Sequence, residues 1–337
     1  MTTRRDFIKT AVAAGIGGAA LAQADAAQAA APNPVPKQMP RGVMLLSILQ
    51  ADGSETLGVK LPNGILDVVP AANALGIDGP RTVEQLLSAG NAGALERVIE
   101  AAKNKPEFLK DESAIKFGRL FTNPGKIVCV GLNYKAHVEE SGEKLPKEPI
   151  LFNKYNNTLA AHNCTIKLPP REISYKFDYE TELLIVIGKT ARNVAEAEAL
   201  DYVAGYAIGH DFSARDLQLE KGGQWMVGKT LDGFAPIGPY FVSADLVDPN
   251  NLNIETFVND EEEPRQSSNT SKFIFNPQKV IAYTSRLFAL EPGDIIFTGT
   301  PSGVIIGMPK EKQIWLKAGD RITSRIEKLG TLKFELA

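Results

Sequence analysis

Apolar residues along this chain gather in short runs punctuated by Gly, Pro, Asn and Asp, and long helical stripes are few. From Lys126 onward the pattern predicts strands over 127–130, 150–152, 165–168, 182–187, 206–211, 239–242, 252–258, 294–298 and 321–329, with helices only over 194–200 and 276–288. That proportion predicts an α+β chain that is predominantly β, because repeated βα units would need more helical crossovers. Upstream, strands are expected over 44–49 and 56–60, joined through the Asp52-Gly53 turn, with Pro62-Asn63-Gly64 punctuating the next. Helices follow over 82–88 and 92–102, their apolar faces formed by Leu86, Leu87, Leu95, Val98 and Ile99. The chain therefore divides into a small N-terminal α/β domain over 41–120 and a larger domain over 125–337, with Pro124-Gly125 at the boundary.

The first thirty residues have a different composition. Arg4-Arg5-Asp6-Phe7-Ile8-Lys9 precedes a small-residue apolar run from Ala11 to Ala22, and Ala27-Gln28-Ala29 offers a small-x-small cleavage site. The segment resembles a bacterial twin-arginine export signal, which implies a periplasmic protein that meets a membrane only through the export machinery. A Pro-rich linker, 31–40, joins it to the rest. The 337 residues are 44% hydrophobic and 23% charged, with a formal charge of -3 and no dense block of Lys and Arg, so nucleic acid is excluded as a partner. Two cysteines, Cys129 and Cys164, each inside an expected strand, read as core thiols. With three histidines and no cysteine cluster, a hard, oxygen-seeking cation suits the available ligands better than zinc.

The stretch Asp178-Tyr179-Glu180-Thr181-Glu182 places acids at every second position before the apolar run Leu183 to Ile187. In an extended strand all three share a face, and acids packed at the mouth of a buried strand need a cation between them. The alternative is a strand end whose acids face water. Asp211, closing another apolar strand, reads either as a further ligand or as the N-cap of a helix over 213–219. His137 and Glu140 lie three apart and meet if their segment is helical, the arrangement that orients a general base. Arg215 offers a planar fork for a carboxylate. Lys229 sits among apolar residues after Trp225-Met226-Val227-Gly228 and would steady an oxyanion if buried. The turn at Gly299-Thr300-Pro301-Ser302-Gly303 offers amides and a hydroxyl to an anionic oxygen.

Taken in order, these pieces resemble the fumarylacetoacetate hydrolase family, over roughly 126–307. The resemblance extends to Arg265-Gln266-Ser267-Ser268-Asn269-Thr270-Ser271 and Leu290-Glu291-Pro292-Gly293-Asp294. It implies a mixed β-sandwich roll, usually dimeric, with Glu180, Glu182 and Asp211 holding Mg2+ or Mn2+ and Asp178 supporting them from behind. His137 and Glu140 then become the water-activating or proton-moving pair on a closing lid, and Lys229 the active-site lysine. Arg215, Gln218, Thr300 and Lys154 become contacts to a small oxo-acid substrate. The implied activity is carbon-carbon hydrolysis of acylpyruvate-like or 1,3-diketo acids through an enolate. Isomerisation or decarboxylation of unsaturated 2-oxo diacids, or plain binding of oxo-acids in the periplasm, are the alternatives. Two departures fall where the substrate's tail is expected: Lys154 is followed by Tyr155 rather than Pro, and Gly303-Val304 by Ile305-Ile306-Gly307.

Overall fold

A computed structural model describes residues Met39–Ala337. The expected export signal, 1–30, and most of the linker lie outside the described residues. Among the described residues no helix is long and apolar enough to cross a membrane.

An eleven-stranded mixed sheet organises the molecule. Its centre is the strand Thr181–Ile187, antiparallel to Val203–His210 on one side and to Ile295–Phe297 on the other. Every residue of Thr181–Ile187 is buried. The alternation explains how: Leu184 and Val186 pack into one core, Leu183, Ile185 and Ile187 into another on the opposite face. Val68, Leu86, Leu95 and Val98, from the three N-terminal helices, belong to the first core. The second core contains Ile254, Ile326 and Leu332 of a five-stranded sheet and Val280 and Ile281 of the helix Pro277–Leu287. Two sheets packed face to face give the α+β, predominantly β roll that the strand count predicts.

The N-terminal segment is continuous with this frame. Met44–Leu49 pairs antiparallel with Ala235–Ser243, so the strands expected in a small separate unit extend the large sheet. Several elements differ from the sequence expectation. The helix expected over 194–200 is a 3-10 helix, Glu196–Tyr202. Val68–Leu75 is an additional helix that enters directly from a strand and stops at Gly76 in the left-handed conformation. The run expected as one strand over 321–329 is Arg321–Ile326, after which the chain turns and returns as Gly330–Leu336. Cys129 and Cys164 are free thiols on Ile127–Gly131 and Cys164–Ile166.

Candidate active site

The pairing of Thr181–Ile187 with Val203–His210 builds the site. Thr181 faces His210 and Glu182 faces Gly209, and the Asp211 amide then donates to the Glu180 carbonyl at 2.9 Å. Two consecutive strand ends thus deliver Glu180, Glu182 and Asp211 to one point. All three are buried, and each offers a carboxylate oxygen within 4.8 Å of the others. Asp211 does not cap a helix: Ser213–Ala214 is a short strand, and a π-helical turn, Asp216–Glu220, follows.

Asp178 stands apart from the strand that begins at Thr181. It lies on Phe177–Asp178, which pairs with Ser213–Ala214 in a separate two-stranded ladder, and ladder pairing lapses at Tyr179 and Glu180. Its carboxylate accepts from the Ile305 and Ile306 amides at 2.9 and 3.0 Å and from Arg215 Nε at 2.8 Å. Arg215 Nη1 continues to Glu180 Oε1 at 2.7 Å, so Arg215 links Asp178 to the trio. The arginine fork expected to meet substrate is therefore largely committed to protein carboxylates. Nη1 also donates to Gln218 Oε1 at 3.0 Å, and Nη2 is left buried without a protein partner.

Two lysines complete the cluster. Lys229 Nζ sits 2.7 Å from Glu180 Oε2 and 2.8 Å from Asp211 Oδ2, and Lys154 Nζ sits 2.6 Å from Asp211 Oδ1. Both side chains are fully enclosed. Lys154, expected to touch substrate, is bonded to Asp211. Burial opposes ionisation of Glu180, but Lys229, Arg215 and His137 outweigh it and hold its pKa at about 2. Glu182 is the opposite case. Burial, then repulsion from Asp211 and Glu180, drives its pKa well above the carboxylate range, although the Gly299 amide donates to Oε2 at 2.6 Å. A cation between the three carboxylates would relieve that repulsion. The donor set, three carboxylates with no Cys or His, fits an oxygen-seeking divalent cation.

His137 and Glu140 meet as their spacing predicts. Both lie on the helix Lys135–Glu140, with Nδ1 of His137 2.8 Å from Glu140 Oε1. Glu140 Oε2 accepts from the Gly303 amide at 2.8 Å, which fixes the carboxylate against the Gly-rich turn. With Nδ1–H donated to Glu140, Nε2 is the nitrogen free to take a proton. His137 and the three acids line one cavity of ≈ 120 Å³, together with Gln218, Lys229 and Thr300. The Thr300 hydroxyl donates to the Thr181 carbonyl at 3.0 Å and accepts from Gln266 Nε2 at 2.8 Å, so it is occupied by protein.

Sequence reasoning passed over the layer beneath. Gln266 appears there only as part of a motif, yet it is fully buried and uses both ends of its amide. Oε1 accepts from the Thr181 amide and the Thr256 hydroxyl, while Nε2 donates to Thr300 Oγ1 and the Pro301 carbonyl. It thereby ties the residue between the two glutamates to the Thr300 turn. His210 belongs to the same layer. Burial lowers its pKa to about 3, so the neutral ring accepts from the Glu180 amide through Nε2, with Nδ1 3.1 Å from Ser324 Oγ. Neither role has a local signal, since each joins residues far apart in sequence.

The chain is similar to known proteins. Residues 126–337 match the family described as fumarylacetoacetate (FAA) hydrolase C-terminal. A fumarylacetoacetate hydrolase domain-containing protein 2 homolog from Dictyostelium discoideum is 44% identical over 295 residues, covering 83% of this chain and 92% of its own. The mitochondrial oxaloacetate tautomerase Fahd2a of Rattus norvegicus is 39% identical over 290 residues, 86% of this chain and 90% of that protein. Among solved structures, a fumarylacetoacetate hydrolase from the psychrophile Exiguobacterium antarcticum superimposes with a TM-score of 0.70 at 30% identity, covering 87% of this chain and 99% of that one. With strand order, buried acids and the His137–Glu140 pair in place, the chain belongs to the fumarylacetoacetate hydrolase family of enzymes.

Proposed function

We propose that this chain is a divalent-metal-dependent enzyme, using Mg2+ or Mn2+, that interconverts the keto and enol forms of small 2-oxo acids, oxaloacetate being the first to test. The observation that carries this reading is His137, oriented by Glu140, facing the same small cavity as the three buried acids. The name of the rat relative, an oxaloacetate tautomerase, supports it.

The chemistry follows from the geometry. A divalent cation held by Glu180, Glu182 and Asp211 would supply electrophilic stabilisation of charge on an enolate oxygen. His137 Nε2 takes the proton from the carbon beside the ketone; the C–H electron pair becomes the C=C bond, and the carbonyl π pair moves to oxygen. Glu140 stabilises the imidazolium that forms and keeps the ring in register. The proton then passes to the enolate oxygen, which completes the enol. Arg215 Nη2, buried and without a protein partner, is available to a substrate carboxylate.

A second reading keeps the site and changes the bond broken. In carbon-carbon hydrolysis of an acylpyruvate-like acid the enolate is the leaving group, and His137 activates water to attack the distal carbonyl. The likeness to the solved fumarylacetoacetate hydrolase favours it. Following enol absorbance of oxaloacetate and release of pyruvate from acetylpyruvate, with the Mg2+-loaded protein, separates the two. Accelerated enol decay without acetylpyruvate cleavage supports the tautomerase; cleavage supports the hydrolase; neither activity sinks both. We further propose export through residues 1–30 and assembly as a homodimer. Mass spectrometry of the mature N-terminus and light scattering test these.

A further inference from the structure

The catalytic cavity combines a polar and an aromatic lining. Phe152 and Trp225 meet edge to face, ring centroids 5.9 Å apart at 80°, and both line the cavity. Trp225 opens the 3-10 helix Trp225–Gly228, whose next residue is Lys229, so the element that places the lysine also places the indole. Its ring stands directly on the backbone at Gly131, where any Cβ would collide with Cζ3. Phe152 lies on Ile150–Asn153, the edge strand of the large sheet, with its ring 5.6 Å from Lys229 Nζ. Phe152 also lines a second, wider cleft of ≈ 600 Å³ bounded by Leu151, Tyr155 and Phe288. Phe152 therefore lines both the small reactive cavity and the wider neighbouring cleft.

We propose that Phe152 and Trp225 form the stop that limits substrate length, so that this site selects compact 2-oxo acids, and that the adjoining cleft is the space a longer tail would enter if Phe152 were removed. This rests on the reading of the site as a 2-oxo acid site. The two rings offer a tail mostly apolar surface, and the cavity's cations, Lys229 beside Phe152 and Arg215, are already engaged by Glu180, Asp211 and Asp178. A rigid apolar stop discriminates by volume, and misplaced bulk in such a pocket typically changes selectivity by ~10-fold to 200-fold.

The test is calorimetric binding to the Mg2+-loaded full protein of two probes, oxalate, which has no tail, and 2-oxo-4-phenylbutanoate, which has a long one. The quantity read is the ratio of their dissociation constants, which cancels any loss common to both. Wild type is expected to bind the long probe at least ~10-fold more weakly, and Phe152→Ala to shift the ratio toward it by ~10-fold or more. Trp225→Leu, expected to move the ratio in the same direction, serves if Phe152→Ala does not fold. Similar affinities for both probes in wild type, or an unchanged ratio in the folded variants, would overturn the proposal. Failure of wild type to bind oxalate at all would overturn the site reading beneath it, and is thereby distinguished from bound oxalate with an unmoved ratio.

Discussion

A buried carboxylate such as Glu182 acts in opposite directions on stability and on ligand binding. Its pKa is raised in the fold, so at neutral pH ionisation of Glu182 works against the metal-free protein. Glu182→Gln removes that repulsion while removing a ligand. Thermal melts in chelator are expected to show the variant melting above wild type, and manganese titration to show affinity reduced by more than the ~10-fold to 100-fold typical of lost supporting contacts. A variant that melts lower and binds metal normally would remove Glu182 from the site. The pair His137 and Glu140 is expected to behave differently, because the proposed reaction uses it to move a proton. Glu140→Gln is expected to slow turnover by ~100-fold or more with metal affinity retained; steady-state kinetics beside the same titration check it. At this scale Glu180 and Glu182 were legible because period-two spacing into an apolar run survives in the fold. Asp178 belongs to a separate ladder, and the lapse in pairing at Tyr179 leaves no trace in side-chain spacing.

Strands and helices place these residues, and most were visible as local patterns. The helix Ala92–Ala102 occupies the span its apolar periodicity predicts, and Pro277–Leu287 begins after Asn276, whose side chain accepts from the Lys279 amide. The hairpin return to Gly330–Leu336 was missed because Glu327-Lys328-Leu329 carries a weak turn signal, with Lys328 itself in the left-handed region at φ 65. What joins elements is harder to see than the elements. Gln266, on the short strand Gln266–Asn269, holds Thr181 of the large sheet to the Thr300 turn through four buried hydrogen bonds. Gln266→Leu leaves those partners unsatisfied, at about 1–3 kcal/mol each. Denaturant titration is expected to show a loss of at least ~2 kcal/mol, with metal affinity falling as the acids lose their backing. A loss under ~0.5 kcal/mol, the range of ordinary surface substitutions, would mean the network relaxes around the change.

Across the whole molecule, His162 is a joint between distant parts. Its ring packs edge-on against Phe117 at 4.7 Å, and Nδ1 accepts from the Lys333 amide of the five-stranded sheet. Burial, with a smaller push from Lys333, lowers its pKa from 6.5 to about 4. The unfolded chain therefore takes up this proton first as pH falls. The stability held by neutral His162 is complete above pH 6.5 and is lost as pH drops toward about 4. Melting temperatures at pH 7.5 and 5 are expected to differ less in His162→Gln than in wild type; equal differences would assign the acid sensitivity elsewhere. The sequence by itself determined the strand-rich class, the position of most strands, the two-residue spacing of Glu180 and Glu182 at a strand mouth, and the helical spacing that lets His137 meet Glu140. These follow from the two-residue repeat of a strand and the turn of a helix, which act between near neighbours. Tertiary structure alone decided that Asp211 joins the two glutamates, that Met44–Leu49 joins the sheet beside Ala235–Ser243, and that Lys154 and Arg215 bond to buried acids. It also placed Phe152 and Trp225 on the cavity lining. Such contacts join segments up to about two hundred residues apart, and they are selected by the joint demand to bury both faces of a sheet and pair every enclosed charge. That demand is met only by the assembled chain.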